Sequence, residues 1–158
     1  MKFQTHKDSI DKAVRRIDAI IPHRDMGTML SNLLIAVEAK QVSITASDME
    51  TTARITVPVE NGTPGEFIIP AKQFQEYVGS LVSKDLIVEV ETEETPEEGA
   101  AAFRVNLRGT SDASAAYTMP GNSAKHFPTL NRLSDNKLFA VSSSILEEMI
   151  RKTQYAIS

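Results

Sequence analysis

The 158-residue sequence predicts an α+β fold made of two β-α-β-β-β units related by a pseudo-two-fold, with helices on one side and antiparallel sheets outside. Three observations predict it. A shift of 64 residues lays Phe3 on Phe67, Ile10 on Phe74, Val14 on Val78 and Ile17 on Leu81. A shift of 136 lays Phe3 on Phe139, Ile10 on Leu146, Val14 on Ile150 and Ile21 on Ile157. Each of the first two helical patterns is also followed by about three alternating segments. Any amphipathic helix after a strand shares the helical spacing. A phenylalanine held seven residues ahead of the first core position in every copy is a stricter sign of repetition.

The elements follow in order. Lys2–His6 is a short strand. Asp8 is placed to cap a helix running to about Ile20, whose Ile10, Val14, Ile17 and Ile21 share one face. Pro22 stops that pattern, because proline lacks the N–H and clashes with the preceding turn. Leu33–Ala39 and Val42–Ser47 read as strands, the second alternating Val42, Ile44 and Ala46 with Ser43 and Thr45. Thr52–Val59 alternates too, and Pro58 places its end at a sheet edge. Asn61-Gly62-Thr63-Pro64-Gly65 is turn chemistry.

The second unit opens with the strand Phe67–Pro70 and the helix Ala71–Leu81, with Phe74, Tyr77, Val78 and Leu81 inward. Asp85–Thr92 and Phe103–Leu107 alternate as strands, with a solvated loop, Glu93–Ala100, between them. Asp112–Met119 is a weaker strand, and Pro120–Leu133 reads as irregular. Lys137–Val141 and Ser144–Ile157 are a last strand and helix. Units 2–65 and 66–136 are expected to close into one domain. The third unit lacks strands to cover Leu146, Met149 and Ile150, so 137–158 reads as the opening of a second domain in a piece of a longer protein.

Composition excludes several classes. There is no cysteine, so disulfide frameworks and thiolate chemistry are out. The first eight residues hold no apolar stretch of signal-peptide type, and the unbroken run Leu33–Val37 is far too short to span a membrane. A cytoplasmic location is expected. The net charge of −4 is uneven: Glu89, Glu91, Glu93, Glu94, Glu97 and Glu98 crowd together, and without them the 21 acidic residues fall to 15 against 17 basic ones. Most of the chain is therefore mildly basic, which permits a nucleic-acid partner without requiring one. Catalytic constellations are poor. His6, His23 and His126 lack ligand spacing, and there is no Gly-rich phosphate loop. Asp48 and Glu50 could share one side of a strand and hold a metal but read better as a structural turn or ion pair, and Ser142-Ser143-Ser144 reads as capping. No cofactor, metal or catalytic residue is expected.

Several strings, in order along nearly the whole chain, resemble one family. They are Met1-Lys2-Phe3, Thr28-Met29-Leu30-Ser31-Asn32-Leu33-Leu34, Thr45-Ala46-Ser47-Asp48-Met49-Glu50, Ile69-Pro70-Ala71-Lys72-Gln73-Phe74 and Phe127-Pro128-Thr129-Leu130. Together they resemble the bacterial DNA sliding clamp, the beta subunit of DNA polymerase III. In that family three such domains form a protomer, and two protomers close head to tail into a ring around duplex DNA that tethers the polymerase. The resemblance implies a non-catalytic processivity factor here, with 1–136 as the first domain. It implies double-stranded DNA, polymerase and clamp-loader subunits and a head-to-tail homodimer as partners of the full-length protein. The chain departs from the family near Met29, where a proline is usual, and at Asp112–Tyr117, which is alanine-rich.

The residues themselves offer a basic surface. Opposite the core stripe of the first helix lie Lys12, Arg15 and Arg16, and Arg151 and Lys152 repeat the last two positions. Alone, these are an ordinary solvated face. The resemblance implies that they, with Arg24 and Lys72, meet DNA phosphates without reading bases. It also implies a protomer contact through Gln73, Tyr77 and Leu81, with Ser114 and Ala116 on the alanine-rich strand. A stand-alone interaction module using an exposed sheet edge is the alternative. An enzyme dependent on Asp48 ranks third.

Overall fold

The computed structural model describes residues 1–22, 29–93, 102–111, 116–128 and 140–156. Its elements are β1 (Lys2–His6), α1 (Lys7–Ile17), β2 (Asn32–Val37), β3 (Gln41–Ser47), β4 (Thr52–Pro58), β5 (Gly65–Pro70), α2 (Ala71–Ser80), β6 (Asp85–Glu93), β7 (Ala102–Gly109), β8 (Ala116–Asn122) and α3 (Ser143–Thr153). Short 3-10 turns follow α1, precede β2, and follow β8 and α3. The β-α-β-β-β order thus occurs twice.

All eight strands join in one antiparallel sheet of order β1-β6-β7-β8-β5-β2-β3-β4. Each unit lends its first strand to the other: β1 pairs with β6, and β5 with β2. Exchanging β1–β4 for β5–β8 returns the same cyclic order, which is the pseudo-two-fold in topological form. The two places where the units abut are alike. At one, Gln4 and Glu60 exchange backbone hydrogen bonds of 3.1 and 2.8 Å. At the other, Ile68 pairs with Asn122. Gln4 and Ile68 stand at equivalent points of the repeat.

The repeated positions are the core. Phe3, Ile10, Val14 and Ile17 are buried, and so are Phe67, Phe74, Val78 and Leu81. Together with Leu33, Ile35, Ile44, Leu86, Leu107 and Met119 they bind both helices to the inner face of the sheet. Each fully buried side chain of this size contributes about 1.5–3 kcal/mol of transfer free energy. The run Leu33–Val37 is apolar throughout because β2 is covered on both faces. Leu33, Ile35 and Val37 face the helices, while Leu34 and its cross-strand partner Ile68 sit under Phe127 on the outside.

Four expectations need correction. Asp8 is not the cap of α1: His6 holds the N-cap position, and Asp8 lies in the first turn. Pro70 and Ser142 hold the N-caps of α2 and α3, so the shifts of 64 and 136 map all three caps onto one another although the residue types differ. The α-helix stops at Ile17 and tightens into a 3-10 turn over Asp18–Ile20. The region after Met119 is not irregular at its start, because β8 continues through Pro120 to Asn122. Proline is tolerated there because at Pro120 the strand pairs with β7 alone, its bridge to β5 coming later at Asn122. A Cβ at Gly121 would lie 3.0 Å from Val105 Cγ2 and 3.2 Å from the Ile68 carbonyl, so glycine lets β8 approach β5. Residues 140–142 form no strand, and the rest of the expected strand Lys137–Val141 lies outside the described residues.

Candidate nucleic-acid interface

Burial on α1 divides it cleanly. Ile10, Ala13, Val14 and Ile17 are buried, whereas Lys12, Arg15 and Arg16 are exposed. The three cations point away from the core because the apolar side chains occupy the stripe that the sheet and α2 cover. Arg15 is partly neutralised: its Nε donates to Asp11 Oδ2 at 2.8 Å. That bond, with the Asp11 charge, raises the guanidinium above its ordinary value. The three cations therefore differ in how much charge they offer an anion.

Lys72 is exposed in the first turn of α2. It borders a cavity of about 300 Å³ where the end of α1 meets the start of α2, lined also by Asp18, Ile21, Ala71 and Glu76. Arg151 and Lys152 are exposed in the last turn of α3, where Lys152 Nζ lies 2.7 Å from Glu148. Arg24 lies outside the described residues. No helix among the described residues is long and apolar enough to cross a membrane.

The residues expected at a protomer contact differ in exposure. Gln73 and Ala116 are exposed, and Tyr77 is half-buried. Leu81 does not belong with them: at 2 % exposure it is a core residue at the C-terminus of α2, with no side-chain surface to offer a partner. Ser114 lies outside the described residues. Tyr117, which was not among the expected contact residues, stacks on Tyr77 with ring centroids 4.7 Å apart and planes 15° from parallel. It was detectable from alternation, since Tyr117, Met119 and Gly121 face one way along β8. Over Ala116–Pro120, β8 pairs with β7 alone, so its other edge is open among the described residues. The aromatic stack ties α2 to the strand carrying that edge.

Lys7 carried no signal in the sequence. Its Nζ donates to the carbonyls of Leu81 and Gly79, at 2.5 and 3.2 Å. The start of α1 thereby caps the end of α2, where a cation is also favoured by the helix dipole. On the sheet, Glu89 accepts from Lys2 Nζ at 2.7 Å and Arg108 at 3.2 Å, which lowers its pKa below the ordinary value. Glu89 and Glu91 thus stand on β6, within the strand expected over Asp85–Thr92.

Of the residues weighed for catalysis, Asp48, His6, Ser142 and Ser144 make local hydrogen bonds, and His23 lies outside the described residues. Asp48 lies in the turn between β3 and β4, where its Oδ1 accepts from the N–H groups of Glu50 and Thr51 at 2.9 and 2.5 Å. It therefore shares no strand face with Glu50. His6 Nδ1 meets Asp85 Oδ1 at 2.6 Å across β1 and β6. The Ser142 hydroxyl meets that of Ser144 at 2.8 Å, at the start of α3. Among the described residues no three His, Asp or Glu side chains gather as a metal site.

Comparison with known proteins gives a consistent answer. Residues 1–131 match the family model described as DNA polymerase III beta subunit, N-terminal domain. The beta sliding clamp of Pseudomonas aeruginosa is 25% identical over 162 residues, spanning all of this chain and 40% of that protein. Among solved structures, the DNA polymerase sliding clamp of Bacillus subtilis superposes with a TM-score of 0.85 at 22% identity, over all of this chain and 40% of that one. The beta sliding clamp of C. crescentus gives 0.84 at 23% identity, with 100% and 39% covered. The chain thus spans about two fifths of the length of the relatives it matches.

Proposed function

The chain belongs to the family of the DNA polymerase III beta subunit N-terminal domain, and from that premise we propose that it is the DNA-facing first domain of a sliding clamp, a non-catalytic processivity factor. Residues 1–136 would form that domain and 137–158 would open the next. In the full-length protein a head-to-tail homodimer would encircle double-stranded DNA and tether polymerase and clamp-loader subunits. The observation that carries the reading is the outward basic face of α1, Lys12, Arg15 and Arg16, set opposite its core stripe on a fold shared with sliding clamps. Lys72, Arg24, Arg151 and Lys152 join it by resemblance. Exposed lysine and arginine on helices suit phosphate contacts that hold without reading sequence, as a sliding device needs. The open edge of β8, with Gln73, Tyr77 and Ala116 beside it, supports a protomer contact there, and Ser114 joins it by resemblance. The Tyr77–Tyr117 stack would add a rigid aromatic anchor.

Binding of this chain to a labelled duplex, followed by fluorescence anisotropy over a range of salt, tests the reading. Weak, sequence-independent binding that falls steeply as salt rises is expected. Replacing Lys12 and Arg16 with alanine should flatten the log–log salt dependence by roughly 1.8, at about 0.9 for each phosphate no longer neutralised. Tight, sequence-selective or salt-insensitive binding would refute it. The open β8 edge also favours a second reading, a stand-alone interaction module that adds a partner strand. That reading predicts no DNA binding and no effect of the Lys12 and Arg16 changes.

A further inference from the structure

The turn between β4 and β5 joins the two units, and backbone hydrogen bonds hold it along its length. The N–H of Val59 donates to the Lys40 carbonyl at 3.0 Å and that of Glu60 to Gln4 at 2.8 Å. The N–H of Gly62 donates to Ala39 at 3.1 Å and that of Thr63 to Lys2 at 2.8 Å. Asn61 stands among them in the left-handed region, at φ 54°, which asparagine tolerates better than most residues. Asn61-Gly62 is the one Asn-Gly pair in the sequence, and such a pair carries its own chemistry. The glycine nitrogen can attack the side-chain carbonyl carbon of the asparagine, because glycine has no Cβ to obstruct the approach. The folded turn withholds that nitrogen. Its N–H is committed to Ala39, and a Cβ built on Gly62 would overlap the Glu38 carbonyl, so the residue is pressed against the 38–41 turn.

We propose that Asn61 is a deamidation site guarded by the fold, reactive only when residues 59–63 lift off the 38–41 turn. The bond from the Gly62 nitrogen to Asn61 Cγ forms as the Cγ–NH2 bond breaks, and ammonia leaves with the Gly62 proton. The five-membered succinimide that results takes up one water. Opening at Cγ gives aspartate, and opening at the backbone carbonyl gives isoaspartate. Isoaspartate routes the main chain through Cβ and lengthens it by one methylene, about 1.5 Å. Glu60 and Gly62 then cannot both keep their bonds to Gln4 and Ala39, so a change made while the turn is open prevents it from closing. The Gln4–Glu60 exchange is one of the two places where the units abut, and it is the contact this would loosen. Every group involved lies within residues 2–63, and none belongs to the basic face of α1 or the open edge of β8.

Incubating the 158-residue chain in warm, mildly alkaline buffer, native and in denaturing urea, tests it. Peptide mass mapping follows loss of ammonia, and labelling by an isoaspartyl methyltransferase reports the isomer. In urea Asn61 should convert ahead of the other asparagines, including Asn122, which precedes a serine. In native buffer it should convert at least about tenfold more slowly, because only the open fraction reacts. That slowing should match, within a few-fold, the hydrogen-exchange protection of the Gly62 amide, since one opening exposes the nitrogen to both reactions. Asn61→Gly keeps a residue suited to positive φ and should abolish the labelling there without unfolding the chain. Asn61→Asp adds the charge without the methylene, so its urea midpoint should stay near the parent's, while the refolded isoaspartyl form should unfold at lower urea. Equal rates in native buffer and urea would overturn the proposal. So would conversion in urea no faster than at Asn122, a freely exchanging Gly62 amide beside an intact Asn61, or an isoaspartyl form as stable as Asn61→Asp.

Discussion

Replacing Lys7 with methionine separates a structural lysine from the surface cations around it. The Lys7 ammonium bonds the Leu81 carbonyl at 2.5 Å and the Gly79 carbonyl at 3.2 Å. Methionine keeps the apolar stem and removes the charge and donors. A hydrogen bond to a charged group is worth about 1.5–3 kcal/mol net when well sheltered. The bond to Gly79 is solvent-exposed and counts for little. A cation at a helix C-terminus adds about 0.3–1 kcal/mol. Discounting the shorter bond for its partial exposure, we expect a loss of about 1–2 kcal/mol. Urea denaturation measures it: with a slope of roughly 2 kcal/mol/M the midpoint should drop by about 0.5–1 M at unchanged slope. Hydrogen exchange at the end of α2 should quicken as well, since the freed carbonyls let the last turn fray. Lys72→Met is the control. That lysine stands in the first turn of α2, at the end where a cation is unfavourable, so its loss should be neutral or slightly stabilising. If the two variants unfold at the same urea concentration, the capping argument is wrong.

Three further outcomes are expected. Lys2 and Arg108 hold the Glu89 carboxylate below the usual 4.5, so its contribution is present above that value and is lost as pH falls through the lowered one. Glu89→Gln should therefore be less stable than the parent near neutrality and should converge with it in acid, as thermal melts from pH 7 to pH 2 would reveal. Gly62→Ala should cost about 1–3 kcal/mol, because the new methyl would lie 2.0 Å from the Glu38 carbonyl oxygen; a melt within about 0.3 kcal/mol of the parent would contradict this. Asp48→Ala should lower the melting temperature by loosening the β3–β4 turn, while magnesium or calcium should shift neither protein; a shift in the parent alone would restore a metal role.

Core positions were legible because they are periodic. The spacing that puts Ile10, Val14 and Ile17 on one face of α1 recurs at Phe74, Val78 and Leu81, and burial follows it residue by residue. Caps were less legible. Asp8 has the chemistry of an N-cap, but β1 runs straight into α1 and leaves that position to His6. Leu81 misled for a related reason: it falls at the same helical spacing as an exposed partner-facing residue would, and only the sheet decides which side is covered. Contacts between distant segments were not legible at all. Nothing near Lys7 announces that its partners lie more than seventy residues on, and the Tyr77–Tyr117 stack joins a helix to a strand in the same unit through tertiary packing.

The repeat also separates what folding requires from what it leaves free. A shift of 64 carries the core of α1 onto the core of α2, but it carries Lys12 onto Glu76, Arg15 onto Gly79 and Arg16 onto Ser80. A shift of 136 carries the last two onto Arg151 and Lys152. The same architecture thus tolerates base, acid or no charge on the outward face of its helix. The cations of α1 are therefore not there to hold the fold. This can be tested by completing the pattern. Glu76 is exposed, so Glu76→Lys should leave the urea midpoint within the small range usual for surface changes, about 0.5 kcal/mol. If the outward faces of α1 and α2 meet one polyanion, the same change should steepen the salt dependence of duplex binding by up to about 0.9 and raise affinity at low salt. A variant that folds as well as the parent and binds DNA no better would confine the contact to α1, while one that fails to fold would show that the outward face is under structural constraint after all.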